Sequence, residues 1–155
     1  MKWRMADLPT LPVFPTHLNA LPNLVGGQIQ VGMDIVQISR IQSSVAQFGA
    51  RFMQRVFTAD ELDYACASTA CQAERLAARF AAKEATLKAL HMADQGISWR
   101  DMEVRRHPDG RCDLQLHAKA ALHASQLGVT QLALSLSHDG DYACAIVVAV
   151  CGATH

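Results

Sequence analysis

The charged residues best suited to chemistry lie on one predicted helix, residues 74–91. Helical periodicity places four large apolar side chains on one arc of this helix: Leu76, Phe80, Leu87 and Leu90. Lys83 projects within that arc, and Glu84 lies at its edge. Lys88 follows Glu84 by one turn, and Arg79 precedes Lys83 by one turn. Carboxylate and cationic groups therefore gather along two successive turns, a combination suited to binding a metal ion and phosphate groups.

A simpler interpretation of the same helix requires no ligand. Glu84 and Lys88 would form an exposed ion pair that contributes about 0.3–0.5 kcal/mol, and the stem of Lys83 would lie along the core. Asp34 favours the metal interpretation, because it lies in or at the end of a predicted buried strand, residues 28–36. A carboxylate there is costly unless it is paired, hydrogen-bonded or bound to a cation. Two carboxylates with few acidic neighbours are typical of Mg²⁺, which takes its other ligands from water and substrate phosphates.

A second chemical candidate, His138, stands at the mouth of a predicted hairpin, where it can contact whatever binds at that edge. Alternatively, it is an ordinary turn residue. The sequence contains no Walker-type, dinucleotide-binding or serine-nucleophile glycine motif. We therefore expect side chains, rather than a glycine-rich loop of these types, to hold any nucleotide phosphates.

Length and composition limit the classes of protein to consider. The 155 residues, half of them hydrophobic, are enough for one domain with a core. Basic and acidic residues balance at 14 each, which gives no electrostatic reason to expect nucleic acid or a membrane as partner. Residues 1–24 are interrupted by prolines and lack the apolar run of a signal peptide or membrane anchor. The five cysteines form no C-x-x-C pair, and we expect reduced, mostly buried thiols in a cytoplasmic protein.

The predicted elements follow the order β-α-α-α-β-β-α-β-β. Apolar periodicity, a capping box at Thr58–Glu61 and turn residues give these segments: strand 28–36, helices 39–56, 58–67 and 71–91, hairpin 101–106 with 111–117, helix 118–127, and hairpin 131–138 with 141–150. Gly49 is a possible break in the first helix. The order predicts a single α+β domain, residues 28–151, with antiparallel hairpins packed on a long helix. Residues 1–27 form an N-terminal arm that we expect to be flexible.

Three segments resemble the holo-acyl-carrier-protein synthases, the short trimeric type of 4′-phosphopantetheinyl transferase. They are VGMDIVQISRI at residues 31–41, ERLAARFAAKEATLKAL at residues 74–90 and LSLSHDGDYA at residues 134–143. The middle segment matches the family pattern F-x-x-K-E-x-x-x-K-A and is highly specific. The resemblance covers residues 28–150 and implies a 4′-phosphopantetheinyl transferase-like fold. It also implies a homotrimer with each active site between two subunits.

The resemblance implies an enzyme that moves 4′-phosphopantetheine from coenzyme A to a serine of apo acyl carrier protein, in support of fatty acid biosynthesis. Adenosine 3′,5′-bisphosphate would be released. Asp34 and Glu84 would be the Mg²⁺ ligands, Glu84 or a metal-bound water would take the serine proton, and Lys88 would stabilise the leaving phosphate. Five residues would bind coenzyme A, the first three at its phosphates and the last two at its 3′-phosphoadenosine end: Arg79, Lys83, Lys88, Ser137 and His138.

A local basic excess points to the carrier protein, because carriers of this system are acidic. Between Ile35 and Phe57 the chain has arginines and no acidic residue, and the arginines are Arg40, Arg51 and Arg55. We expect these residues to dock the carrier. A solvated helix face is the alternative interpretation.

Some residues depart from the family pattern. Gln37 stands where members commonly have Glu, His91 and Met92 replace a glycine-rich exit from the long helix, and Cys112 replaces a common proline. The main rival function is a non-catalytic module that holds a carrier protein or coenzyme A. Binding alone would not need both metal carboxylates and Lys88, so the enzyme is favoured.

Overall fold

A computed structural model describes residues 27–152, so all but the last residue of the predicted arm lies outside the described part. The strands are β1 (Gln28–Gln37), β2 (Met102–Arg106), β3 (Cys112–Leu116), β4 (Val129–Asp139) and β5 (Tyr142–Cys151). The helices are α1 (Ile38–Val56), α2 (Ala59–Cys66), α3 (Gln72–Ala89) and α4 (Ala118–Gln126), and a 3-10 turn spans Trp99–Asp101. The predicted order of elements and the α+β class are confirmed. Within residues 27–152, no helix is long and apolar enough to cross a membrane.

The strands form two antiparallel sheets. One has three strands in the order β1-β5-β4, and the other is the β2-β3 hairpin. In the three-stranded sheet, Asp34 is paired with Ala145 of β5, which is paired in turn with Leu136 of β4. Alternation along the strands places this row on the face that carries the core, while the next row, which includes Met33 and Ile146, faces outward. Asp34 is therefore directed toward the helices.

Helix α3 lies against the three-stranded sheet through small residues. Ala81, Ala85 and Ala89 on α3 are fully buried against Ala145, Val147 and Ala149 of the sheet. Gly32 of β1 lies so close that an added Cβ would be 1.9 Å from the carbonyl oxygen of Ala85. This close packing brings the Asp34 end of β1 beside the middle of α3. It explains in physical terms the glycine two residues before Asp34.

The connections on the other side of α3 follow local signals in the sequence. In α1, Gly49 has φ 53° and ψ −137°, so it breaks the helix as predicted. The capping box is also present: the Thr58 hydroxyl accepts a hydrogen bond from the Glu61 amide, and the Glu61 carboxylate accepts one from the Thr58 amide. Helices α1 and α2 pack on α3 and leave a cleft between α1, α3 and the end of β1.

Candidate active site

The two predicted metal ligands face each other across the β1–α3 contact. Asp34 comes from the end of β1 and Glu84 from the middle of α3, and both are partly buried. Burial and, next, the charge of Asp34 raise the pKa of Glu84, while Lys88 acts in the opposite direction. Two carboxylates held close enough to repel each other in a partly buried place are suited to a divalent cation. Within residues 27–152, no third His, Cys, Asp or Glu side chain completes a cluster with them.

Lys88 completes this charged group. Its Nζ donates hydrogen bonds to Asp34 Oδ1 at 2.7 Å and to the Met33 carbonyl oxygen at 3.0 Å. The hydrogen bond to Asp34 is the main cause that raises the pKa of Lys88, so the amine is protonated at neutral pH. About half of its side chain is exposed (53%), which leaves the ammonium accessible to a ligand. The ion pair thus joins Lys88 to Asp34 on β1, rather than to Glu84 on its own helix.

A cleft of about 430 Å³ opens beside these groups. Its polar wall includes Asp34, Glu84, Gln37 and Arg40, and its apolar wall includes Phe52 and Phe80 from α1 and α3. The ring of Phe80 stacks on Trp99 with centroids 5.2 Å apart, which fixes one side of the cleft. The cleft is therefore suited to a ligand that has a charged group at one end and an apolar chain beside it.

Lys83 does not lie where the resemblance implies. It is fully buried and forms an ion pair with the fully buried Glu61, with 2.8 Å between Nζ and Oε2. The ammonium also donates hydrogen bonds to the carbonyl oxygens of Trp99, at 2.9 Å, and of Met102. All three protons are therefore used inside the protein. Lys83 joins α3 to α2 and β2, and this geometry leaves it no proton for a phosphate.

Arg79 faces a second pocket, of about 320 Å³, on another side of α3. Its guanidinium lies 4.3 Å from the ring centroid of Tyr64, and those of Arg75 and Arg106 lie at 4.5 and 5.3 Å from the same ring. Arg79 is 3% exposed, and its buried Nε has no hydrogen-bond partner. Burial lowers the pKa of Arg79, against the opposing effect of Glu61. An anion in this pocket would satisfy the cations that surround Tyr64.

Ser137 and His138 occupy opposite faces of β4. Ser137 is exposed and lies in the outward row with Cys144, so it is directed away from the Asp34 face. His138 is also exposed, and its Nε2 lies 3.3 Å from Glu74 Oε1 at the start of α3. A single chain therefore brings Asp34, Glu84 and Lys88 together, but not Ser137.

The predicted docking arginines lie along α1. Arg40 lines the main cleft, and Arg51 and Arg55 flank a separate groove of about 410 Å³ with Phe48 and Phe52. Phe48 is 54% exposed, which is high for a phenylalanine. The surface defined by Phe48, Arg51 and Arg55 is thus apolar and cationic at once.

Some residues of this region were missed by the sequence analysis. The cluster of Tyr64, Arg75 and Arg106 is assembled from α2, α3 and β2, and the spacing of these residues gives no common signal. Asp141, which holds the start of α1 through hydrogen bonds to Gln37 and Ser39, was also missed. The sequence pattern placed it only as the first residue of the last strand, 141–150.

Comparison with known proteins identifies the class. A model of the 4′-phosphopantetheinyl transferase superfamily matches residues 30–147, and the chain belongs to this superfamily. Within it, the similar curated relatives are holo-[acyl-carrier-protein] synthases. Those of Koribacter versatilis and Geobacter sulfurreducens are 47% and 43% identical over 118 residues, which are 76% of this chain and 94% and 93% of theirs. The resemblance inferred from the three segments is confirmed.

Solved structures show the same fold. A Chronobacterium ammoniagenes ACPS–CoA complex has a TM-score of 0.70 and 33% identity, and covers 79% of this chain and 96% of its own. The Helicobacter pylori holo-[acyl-carrier-protein] synthase in complex with coenzyme A has a TM-score of 0.67 and 30% identity, and covers 77% and 98% of the two chains. The predicted transferase-like fold is therefore confirmed.

Proposed function

We propose that this chain transfers 4′-phosphopantetheine from coenzyme A to a serine of apo acyl carrier protein and releases adenosine 3′,5′-bisphosphate. The observation that carries the proposal is that Asp34 and Glu84 line one cleft and that Lys88 pairs with Asp34 beside it, in a member of a transferase superfamily. Its relatives named holo-[acyl-carrier-protein] synthase support the same reaction. The enzyme acts in the cytoplasm and supplies carrier protein for fatty acid biosynthesis.

Asp34 and Glu84 hold Mg²⁺ in this proposal, and the mutual repulsion of their charges supports the assignment. The ion, when bound, neutralises charge on the pyrophosphate of coenzyme A. Glu84, or a water molecule bound to the ion, would take the proton from the serine hydroxyl. The serine oxygen bonds to the β-phosphorus as the bond from that phosphorus to the bridging oxygen breaks. Lys88, exposed and cationic, stabilises the negative charge that remains on the leaving phosphate.

Coenzyme A would also be held outside the reacting centre. Arg79 and Arg106 line the pocket at Tyr64, which also contains Asp60 and Glu103, and Arg75 lies over the same ring; these arginines would bind a phosphate group. His138 and Ser137 remain proposed contacts to the 3′-phosphoadenosine end. Lys83 is left out of the phosphate contacts, since its protons are used by Glu61, Trp99 and Met102.

The carrier protein would dock on α1. An acidic carrier helix with apolar side chains complements the surface of Phe48, Arg51 and Arg55, and Arg40 lines the same cleft as the metal carboxylates. Changing Arg51 and Arg55 to Glu is expected to raise the KM for the carrier and to weaken its salt dependence. The KM for coenzyme A should stay unchanged. An equal loss of coenzyme A affinity would contradict this placement.

A homotrimer with active sites between subunits is part of the same proposal. The outward sheet face is unusually apolar, with Ile29, Val31, Met33, Ile35 and Ile146 each 41–60% exposed. Ser137 lies on this face, so it can reach a site built on the Asp34 face only across a contact between copies. Sedimentation should show a trimer that Met33→Glu dissociates. A monomeric wild-type protein would contradict the assembly.

The transfer itself is tested by incubating the protein with apo acyl carrier protein, coenzyme A and Mg²⁺ and weighing the carrier. A mass gain of one phosphopantetheine supports the enzyme. Asp34→Asn is the matched control, because it removes a charge at the metal site without removing volume, and it should give no gain. Carrier binding by the wild-type protein without any mass gain would favour the non-catalytic module instead.

A further inference from the structure

The turn between β4 and β5 is tied to the start of α1 through one side chain. Asp141 Oδ2 accepts hydrogen bonds from Gln37 Nε2 at 2.8 Å and from the Ser39 hydroxyl at 2.7 Å. Its Oδ1 accepts one from the Ser39 amide at 2.8 Å, and its carbonyl oxygen accepts one from the Ile38 amide at 2.8 Å. We call this set of four hydrogen bonds the Asp141 clip.

The clip does for α1 what a capping residue does within one helix. Gln37, at the N-cap position, makes no side-chain capping hydrogen bond of its own, and no acidic residue lies in the first turn. Asp141 instead satisfies the first amides of α1, from a position 102 residues away from Ser39. Its negative charge also lies at the positive end of the helix dipole. The hydrogen bonds from the Ser39 hydroxyl and, next, from Gln37 hold the pKa of Asp141 below its ordinary range, so it is ionised at neutral pH.

The clip lies where carrier docking and chemistry meet. Gln37 is three residues after Asp34 and three before Arg40, and all three residues line the same cleft as Glu84. The direction in which α1 leaves β1 therefore sets the distance between Arg40, which lies before the break at Gly49, and the metal carboxylates. A hydrogen-bonded partner in the β4–β5 turn fixes that direction better than the backbone of residues 37–39 alone.

We propose that Asp141 is a positioning residue that holds the first segment of α1, which carries the docking residue Arg40, at the correct angle to the Asp34–Glu84 carboxylates. This inference rests on the proposed function. Asp141 acts through α1 and does not contact the substrates. Loss of the clip leaves the metal carboxylates and the arginine pocket in place, and it misplaces the carrier serine relative to the phosphorus that it attacks.

The principal test compares Asp141→Asn and Asp141→Ala with Asp139→Asn and Asp139→Ala. Asp139 has the same charge two residues away in the same hairpin, is exposed and makes none of the hydrogen bonds of the clip. We expect Asp141→Ala to lower kcat/KM for the carrier by about tenfold or more, since misplacement by an ångström is costly to transfer reactions. The KM for coenzyme A should change by less than about twofold, because its pockets are not moved. The Asp139 variants should behave as the wild type.

A charge exchange separates positioning from a general loss of stability. Gln37→Glu places a second carboxylate against Asp141 and should reproduce the defect of Asp141→Ala. The double variant Gln37→Glu with Asp141→Asn restores a donor and an acceptor, with their positions exchanged, and should recover most of the kcat/KM. If Glu at position 37 acted instead on Asp34 and Glu84, Asp141→Asn would not rescue it, and the proposal would be overturned.

Two measurements that need no turnover test the clip independently of the transfer reaction. Amide hydrogen exchange at Ile38 and Ser39 should become faster in Asp141→Ala, and carrier affinity measured by fluorescence anisotropy without coenzyme A should fall. If the wild type transfers nothing, the proposed function fails while these measurements still decide whether the clip orients α1 for binding. Unchanged exchange, or wild-type carrier affinity and kcat/KM in folded Asp141→Ala, overturns the inference.

Discussion

Gly32→Ala tests whether the close approach of β1 to α3 builds the active site. A Cβ at this position would lie 1.9 Å from the carbonyl oxygen of Ala85 and 2.6 Å from the amide nitrogen of Ala89. Both neighbours are backbone atoms inside α3, so no side chain can rotate away. Since real Cβ contacts are essentially never shorter than 3.0 Å, the strand and the helix must separate by at least about 1.1 Å at this point.

This separation acts directly on the site. Asp34 is two residues from Gly32 on the strand, and Glu84 is next to Ala85 on the helix. The 2.7 Å contact between Lys88 and Asp34 spans the same gap and would be broken or distorted. Overpacking of this kind costs about 1–3 kcal/mol, and a backbone clash belongs at the upper end. A 1 Å misplacement of reacting groups can cost about 100-fold in rate. We expect kcat to fall by about that factor in the fraction that remains folded.

The assay combines chemical denaturation with turnover measured on folded protein. Gly96→Ala is the control, because its Cβ would meet nothing within 4 Å but its φ of +62° strains the backbone. That variant should lose about 1–2 kcal/mol of stability and keep normal turnover. If Gly32→Ala retains wild-type kcat and stability, the strand–helix contact does not set the distance between the carboxylates, and the reasoning is refuted.

Three further changes separate structural roles from catalytic ones. Lys83→Met should destabilise the protein by about 3–5 kcal/mol, because it leaves Glu61 charged and buried, and a raised KM for coenzyme A without a loss of stability in thermal melts would contradict this role. Glu84→Gln should abolish transfer yet raise the melting temperature at neutral pH. The native state holds the Glu84 proton more tightly than the unfolded state, so the stability of the wild type falls as pH rises from the ordinary glutamate pKa to the raised pKa. The stability of Glu84→Gln should not show this fall. Mg²⁺ should stabilise only the wild type. His91→Gly should stabilise the protein by about 0.5–1 kcal/mol in denaturant melts, since His91 follows the C-cap of α3 and has a φ of 53°. No gain would mean that the His91 side chain compensates for the strain.

Most of the fold could be predicted because its signals are local. The first helix was expected at residues 39–56 and spans Ile38–Val56, with Gly49 breaking it as expected. The last hairpin turn is shifted by one residue from the prediction, since Asp139 pairs with Tyr142 and leaves Gly140 and Asp141 as the turn. Asp141 is released from the strand by that shift, and its carboxylate reaches α1. No pattern within the hairpin could indicate a partner on another element.

The site was harder to predict because burial depends on distant residues. The helical pattern correctly directed Lys83 into the apolar arc, but it could not identify Glu61, 22 residues earlier, as its partner. Glu61 already had a sufficient local role in the capping box. Its second carboxylate oxygen accepts a hydrogen bond from the Val104 amide at 3.0 Å, which again joins elements distant in sequence. A charge in an apolar arc shows that a partner exists, and only the packing shows which one.

Helix α3 shows why stability and function are difficult to separate in this protein. Its sheet-facing residues are alanines, and an alanine there is what allows β1 to approach closely enough for Asp34 to lie beside Glu84. Larger apolar residues at Ala85 or Ala89 would bury more surface, yet they would push the two carboxylates apart. The small core residues therefore allow the two like charges to lie close together. They also bury less apolar surface than larger residues would, which lowers the hydrophobic stabilisation of the fold. A larger side chain that is accommodated only by moving β1 away from α3 should therefore reduce transfer activity.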